Sequence, residues 1–250
     1  MSFKIVIPAR WASERLPGKP LRDIAGRPMI LRTLDQAREA GADEVVVAVD
    51  DVRIAEIVTK DGGQVEMTRS DHVSGTDRIS ECATRRGWEP ETVVVNLQGD
   101  EPLTPPRLLT NLASALLERP DCGLATLAAP IRSSDELFSE HSVKVVLDER
   151  SRAHYFSRAP IPWVRGAMNP AGPLPAGRFL RHLGMYAYRV STLGQISLAP
   201  PSPLERLERL EQLRALDMGI SIHVNVLDEA PPAGVDVVSD IERLESLLRE

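Results

Sequence analysis

Aromatic residues are only 4% of these 250 residues, with Trp 3, Tyr 3 and Phe 4. Base-stacking proteins set aromatic platforms in a basic groove, and no long basic and aromatic tract is present here. Positive charge is also in the minority. Lys and Arg number 30 against 36 Asp and Glu, a formal net charge of -6, which gives no general pull toward nucleic acid or an anionic membrane. Cysteine is limited to Cys82 and Cys122, each within an apparent helix or strand pattern. That excludes a disulfide framework and reads as reduced structural thiols, with no cysteine nucleophile expected. No apolar run approaches the ~18 residues of a membrane span, and the N-terminal residues lack the basic head, long apolar run and small-residue cleavage site of a secretory signal. The expectation is a cytoplasmic protein without membrane insertion. No internal repeat or low-complexity domain is present.

An ordinary apolar share of 42% and charged share of 26% remain, enough to bury one large core or a core with an attached subdomain. Strand-like runs "KIVI", "EVVVAV", "QVEMT", "TVVVNLQGD" and "GLATLAAPI" alternate with helix-like segments such as "PMILRTLDQAREAG", "DDVRIAEIVTKDGG", "TDRISECATRRG" and "PPRLLTNLASALLERP". This rhythm predicts a nucleotide-binding layered α/β fold with a predominantly parallel mixed sheet and a ligand site beyond the carboxyl ends of its strands. From about residue 131 the chain becomes strand-rich, with "SVKVVLDE", "AHYFSRAPIPW" and "FLRHLGMYAY", interrupted by the Gly- and Pro-rich "VRGAMNPAGPLPAGR". The expected organisation is a single domain over 1–250 carrying a strand-rich dimerisation or lid extension over 131–190. "PSPLERLERLEQLRALDMG" is the longest helix candidate, and its leucines at a spacing of three turn steadily around the helix. "SDIERLESLLRE" suggests a capping box from Ser239 to Glu242.

Against the acidic total, "KIVIPARWASERLPGKPL" gathers Arg10, Arg15 and Lys19 in a loop after the first strand. A nucleoside triphosphate would suit them, since α-phosphoryl transfer needs charge neutralised at several oxygens. Lys19 supplies a compact cation, Arg15 a planar fork, and Gly18 room for close backbone approach. Taken alone, the loop is equally a solvated basic surface. It is not a P-loop, because the Gly-to-Gly-Lys spacing is missing and Pro20 stands where a Ser or Thr would meet magnesium. No GxGxxG follows the first strand, so a dinucleotide site is not indicated.

"NLQGDEP" supplies the complementary charge. Asp100 follows a strand end, where a carboxylate can hold phosphate-bound Mg2+. Asp236 in "AGVDVVSDI" could converge with it if the final strand returns beside the first part of the sheet. Asp240 competes, but suits a helix start better. Each acidic residue alone is also an ordinary loop former.

Together these pieces resemble the 3-deoxy-manno-octulosonate cytidylyltransferase (CMP-Kdo synthetase) family. The matching stretches are "IPARWASERLPGKPL", "MTRSDHVSGTDR", "VVNLQGDEPL", "VKVVLD", "YFSRAPIPW", "RHLGMYAYR", "LERLEQLRAL" and "GVDVVSD", nearly the whole chain apart from residues around 165–178. The resemblance implies that CTP and Kdo give CMP-Kdo and diphosphate in lipopolysaccharide biosynthesis, with Mg2+ and a homodimer. It implies that Arg10, Arg15 and Lys19 meet the nucleotide phosphates, that Ser74, Gly75 and Arg78 lie near nucleotide or sugar, and that Asp100 and Asp236 hold the metal. Gln98, Arg158, His182, Tyr186 and Glu211 fall on its sugar-acid side. Lys19, Arg15 and Asp100 carry the catalytic expectation.

Read without the resemblance, His182 and Tyr186 suit sheet packing, Arg158 an ion pair and Glu211 a solvated helix face. The chain departs from the family at Trp11, where Tyr is usual, at "GVDVVSD", and at His141, where Asn is frequent. Two other readings are a cytidylyltransferase for another acidic sugar, such as 8-amino-Kdo or a nonulosonic acid, and a CTP-binding regulatory module.

Overall fold

The computed structural model describes residues 2–12 and 16–248. In chain order its elements are β1 (Lys4–Ala9), a 3-10 turn (Lys19–Leu21), the short pair β2 (Asp23–Ile24) and β3 (Arg27–Pro28), α1 (Met29–Glu39), β4 (Glu44–Val49), α2 (Val52–Lys60), β5 (Gln64–Met67), α3 (Gly75–Arg85), β6 (Val93–Asn96) and α4 (Pro106–Leu117). There follow β7 (Leu124–Pro130), α5 (Ser134–Phe138), β8 (Lys144–Leu147), β9 (Ala153–Ser157), β10 (Leu180–Arg189), α6 (Val190–Leu198), α7 (Pro203–Glu208), α8 (Gln212–Asp217), β11 (Ile222–Val226) and α9 (Val238–Leu247). The chain divides into two compact units, one of Met1–Ser114, Tyr188–Ser197 and Pro231–Glu250, the other of Ala115–Ala187 and Leu198–Ala230. The mixed α/β fold with mainly parallel strands agrees with the alternation in the sequence.

In the first unit β1 lies between β6 and β4, and β5 flanks β4, all parallel. The branched runs Ile5 to Ile7, Val46 to Val49 and Val93 to Val95 are buried, as expected for strands covered on both faces. Asp51 caps α2 by accepting from Arg53 N (2.9 Å), and Ser74 caps α3 by accepting from Asp77 N (3.1 Å). Leu16, Ile24, Met29, Val235 and Leu244 form one buried cluster. It fastens the C-terminal segment onto the loop after β1, which matters for the site below.

The second unit joins β11 and β7 in parallel, while β10, β8 and β9 pair antiparallel in that order. Between β9 and β10 no regular structure forms, in keeping with the Gly and Pro content. Val164, Met168 and Leu174 of that excursion pack on a core of Ile131, Leu137 and Phe179.

Two local expectations fail. The long helix over 203–219 breaks into α7 and α8, with Arg209 between them in the left-handed region (φ 53°). Tertiary bonds explain the break: Arg214 turns back to Glu205 at 2.5 and 2.8 Å, and the Glu208 carboxylate is taken by Ser157 and the Arg158 amide. Leu207 is left 82% exposed while Leu210 and Leu213 are buried. Helix α9 also starts before the expected cap at Ser239. Asp240 closes its N-terminus by accepting from Asp236 N (2.7 Å) and Val237 N (3.0 Å), the helix-start role that its position suggested. Cys82 and Cys122 are buried free thiols, and burial pushes Cys82 up to about 12, away from nucleophilic use.

Candidate active site

The carboxyl ends of β1 and β6 carry Pro8, Ala9 and Arg10 and Gln98, Gly99 and Asp100 to one side of the sheet. With Lys19, Pro20, Asp236, Arg78 and residues 72–75 they line a cleft of about 430 Å³ in the first unit. These backbones meet closely, since a Cβ on Gly99 would stand 3.0 Å from Pro8 O and the loops would have to give by a few tenths of an ångström.

Lys19 begins the 3-10 turn that follows Gly18, whose φ is +66°. A Cβ at Gly18 would also lie 3.2 Å from the Trp11 ring. Trp11 is held on its other sides: its amide donates to Asp50 Oδ1 (2.9 Å), and the Arg53 guanidinium lies 3.4 Å from its ring centroid. The indole plane therefore packs the turn that presents Lys19. Lys19 Nζ donates to Asp100 Oδ2 at 2.5 Å and stands 3.6 Å from Asp236 Oδ1.

The two carboxylates converge as anticipated, but by another route. The last strand, β11, pairs with β7 rather than returning beside β1. The segment after it is tied down instead by Val235 N donating to Asp100 O (2.9 Å) and by Val235 in the Leu16 cluster. Gly234 makes this possible, because a Cβ there would meet Asp100 O at 2.7 Å. Among the described residues no three His, Cys, Asp or Glu form a metal-ligand group. A cation here would take two carboxylates from the protein and its other oxygens from phosphates and water, which is the usual habit of magnesium. The donor set fits that ion. Burial and then the Asp100 charge push Glu101 up to about 7, so below that pH it adds little negative charge beside Asp100.

Ser74 and Gly75 place the N-terminus of α3 at the cleft, where backbone amides can receive an anion. Arg78 lines the cleft but is only 3% exposed. Its guanidinium donates to Asp50 Oδ2 (2.8 Å) and Thr68 Oγ1 (2.5 Å). Gln98 is half-buried, with Nε2 3.3 Å from Asn96 Oδ1. Arg10 is exposed at the rim. Arg15 lies outside the described residues.

Arg158, His182, Tyr186 and Glu211 belong to the second unit. Arg158 donates from Nε to Glu208 O and from Nη1 to Glu140 O, both at 2.8 Å. His182 Nε2 is 2.9 Å from Thr126 Oγ1, with Phe156 edge-on at 4.8 Å and Tyr186 at 5.5 Å between ring centroids. The single hydroxyl proton of Thr126 is directed at the carbonyls of Leu183 and Met185 (3.1 and 2.8 Å). Nε2 of His182 is then the donor and Nδ1 carries the lone pair. Burial lowers the His182 pKa to about 3, so the ring is neutral near pH 7. Glu211 stands at the N-cap position of α8, with Arg214 N donating to its carbonyl (3.0 Å).

His72 was not singled out from sequence, although it lies inside "MTRSDHVSGTDR". It lines the cleft and pairs through Nε2 with Glu81, whose carboxylate also accepts from Arg69 N (3.0 Å) and Arg85 Nε (2.8 Å). Only the stretch around it gave a signal, since one His in a loop has no periodic or spacing pattern.

A family model described as Cytidylyltransferase matches residues 4–222. The 3-deoxy-manno-octulosonate cytidylyltransferase of Hahella chejuensis is 50% identical over 249 residues, covering 99% of this chain and 98% of that protein. The enzyme of the same name from Alcanivorax borkumensis is 49% identical over 249 residues, covering 99% of each. A solved structure of CMP:2-keto-3-deoxy-manno-octonic acid synthetase complexed with CTP superposes with a TM-score of 0.90 at 42% identity, covering 99% of this chain and 98% of that one.

Proposed function

The chain belongs to the 3-deoxy-manno-octulosonate cytidylyltransferase family, and on that premise we propose that it converts CTP and Kdo to CMP-Kdo and diphosphate. The 2-hydroxyl oxygen of the sugar attacks the α-phosphorus in line, the bond from that phosphorus to the bridging oxygen breaks, and the hydroxyl proton departs. No covalent enzyme intermediate is involved. Placement and electrostatics carry the acceleration.

The observation that carries the reading is the Lys19 ammonium set between Asp100 and Asp236 in a cleft closed on one side by the N-terminus of α3. Asp100 and Asp236 would hold Mg2+, which when bound neutralises phosphate charge and orients phosphate oxygens. Lys19 moves from its carboxylate partners to the phosphates as CTP enters, and Arg10 adds charge at the rim; the family resemblance adds Arg15 to the phosphate-binding cations. The first amides of α3, with Ser74 and Gly75, receive phosphate oxygens, and Arg78 holds the wall through Asp50. The family resemblance assigns Arg158, His182, Tyr186 and Glu211 of the second unit to the sugar acid, and Gln98 of the first unit with them. As a neutral ring with its lone pair on Nδ1, His182 suits a sugar hydroxyl, and the carboxylate falls to Arg158. Cytoplasmic location and a homodimer complete the reading on the strength of the family resemblance; sedimentation of the purified protein checks the dimer. Among the described residues no helix is long and apolar enough to cross a membrane.

The test is diphosphate release by purified protein, expected only with CTP, Kdo and Mg2+ together. CTP binding without release in the complete mixture would instead identify a regulatory module. Parallel assays with 8-amino-Kdo and a nonulosonic acid settle which acidic sugar is preferred.

A further inference from the structure

Lys144 in β8 has 0% of its surface exposed. A buried ammonium is costly unless every donor is satisfied. Here Nζ donates to the carbonyls of Ser139 (2.8 Å), Arg158 (2.6 Å) and Ser142, so its three donors meet three neutral acceptors. Among the described residues no carboxylate lies within ion-pair distance of Lys144 or of the Arg158 guanidinium. The neighbouring Glu208 carboxylate makes no direct ion pair with either, its two oxygens accepting from Ser157 Oγ (2.6 Å) and Arg158 N (2.9 Å), and it acts on Lys144 only through its charge at longer range.

Arg158 is therefore held at four points, two on its backbone and two on its guanidinium. Lys144 holds its carbonyl, Glu208 its amide, and the carbonyls of Glu208 and Glu140 hold Nε and Nη1. These bonds leave Nη2 outside them. An apolar side chain of similar volume would commonly serve packing as well as a buried charge or better, so packing alone does not account for a lysine here. Burial and then the charge of Arg158 push the Lys144 pKa down, against the charges of Glu208 and Glu136, which raise it.

We infer that Lys144 is a positioning residue for capture of the acidic sugar: it fixes the backbone from which the Arg158 guanidinium projects, so that Nη2 is presented to the carboxylate of the substrate. This deepens the proposed function and rests on Arg158 binding the sugar acid. Lys144 does not touch substrate, and its influence falls on the sugar side alone.

The experiment compares Lys144→Met with wild type and with Arg158→Ala by steady-state diphosphate release, after circular dichroism confirms folding. Lys144→Met is expected to raise the KM for Kdo about tenfold, while the KM for CTP stays within about twofold. In the Arg158→Ala background it is expected to add less than about twofold, because the two act as a unit. Equal rises in both KM values, or additive effects in the double variant, would overturn the inference. If Lys144→Met does not fold, Glu208→Gln, which weakens the grip on the Arg158 amide, decides by the same split between sugar and nucleotide. A wild-type protein that releases no diphosphate from Kdo and CTP refutes the proposed function itself, and an unchanged Kdo KM in Arg158→Ala refutes the role of Arg158. Both outcomes are distinct from a missing split in Lys144→Met.

Discussion

The cleft of the first unit and the Lys144–Arg158 cluster of the second are both built on cations, yet they hold their charge in opposite ways. Lys19 is 13% exposed and sits against two carboxylates, Asp100 at 38% and Asp236 at 58% exposed. Ion pairs with such access to water contribute little net stability, so exchanging partners there is cheap. Lys144 is sealed from water and bonded only to neutral carbonyls. It keeps its charge and cannot readily move. A site that must accept and release phosphates calls for the first arrangement, and one that must orient a fixed guanidinium calls for the second.

The largest effect should come from breaking the mobile side. Asp100→Ala is expected to lower kcat at limiting Mg2+ by about 10³-fold, with the unfolding midpoint nearly unchanged; near-normal turnover would remove Asp100 from the metal role. Lys19→Ala should reduce kcat/KM for CTP by about 10²-fold and, by removing the cation that competes for the two carboxylates, strengthen Mg2+ binding to the nucleotide-free protein, measured by calorimetry. Gly234→Ala tests the joint between the two carboxylate loops. Its Cβ would press on Asp100 O at 2.7 Å, so a loss of about 1–3 kcal/mol in a denaturant melt is expected, with weaker Mg2+ dependence of turnover.

An effect on stability rather than turnover sharpens the sealed side. His182 has a folded pKa of about 3 against an ordinary 6.5, so the unfolded chain takes up its proton first as pH falls. The stability from burying the neutral ring is complete above about 6.5 and is lost as pH drops toward 3, at no more than about 1.4 kcal/mol per pH unit. His182→Gln should flatten that part of the pH–stability curve in melts between pH 7 and pH 4. An unchanged slope would show that the ring is not desolvated.

Much of the first unit was legible because its signals are local. Branched apolar runs predicted β1, β4 and β6. The cluster of Lys19 with Asp100 was approachable because both follow strand ends. Elements with weak periodicity escaped, among them α6, the short β2 and β3 pair, and α5. The single helix read from the leucines of 203–219 was wrong because Glu205, Glu208 and Arg214 satisfy partners elsewhere, and those bonds outweigh local helix preference.

Composition and pattern alone thus determined the strand and helix alternation, the reduced buried cysteines and the residue types able to meet a nucleotide. Only the tertiary structure decided that Asp236 reaches Asp100 through the Val235 bond and Gly234, that Arg78 is spent on Asp50, and that Lys144 is a sealed cation gripping Arg158. The physical reason is range. Backbone propensity and hydrophobic period act over a few neighbouring residues, whereas the charge state and partners of a side chain depend on whatever the fold carries to within a few ångströms of it.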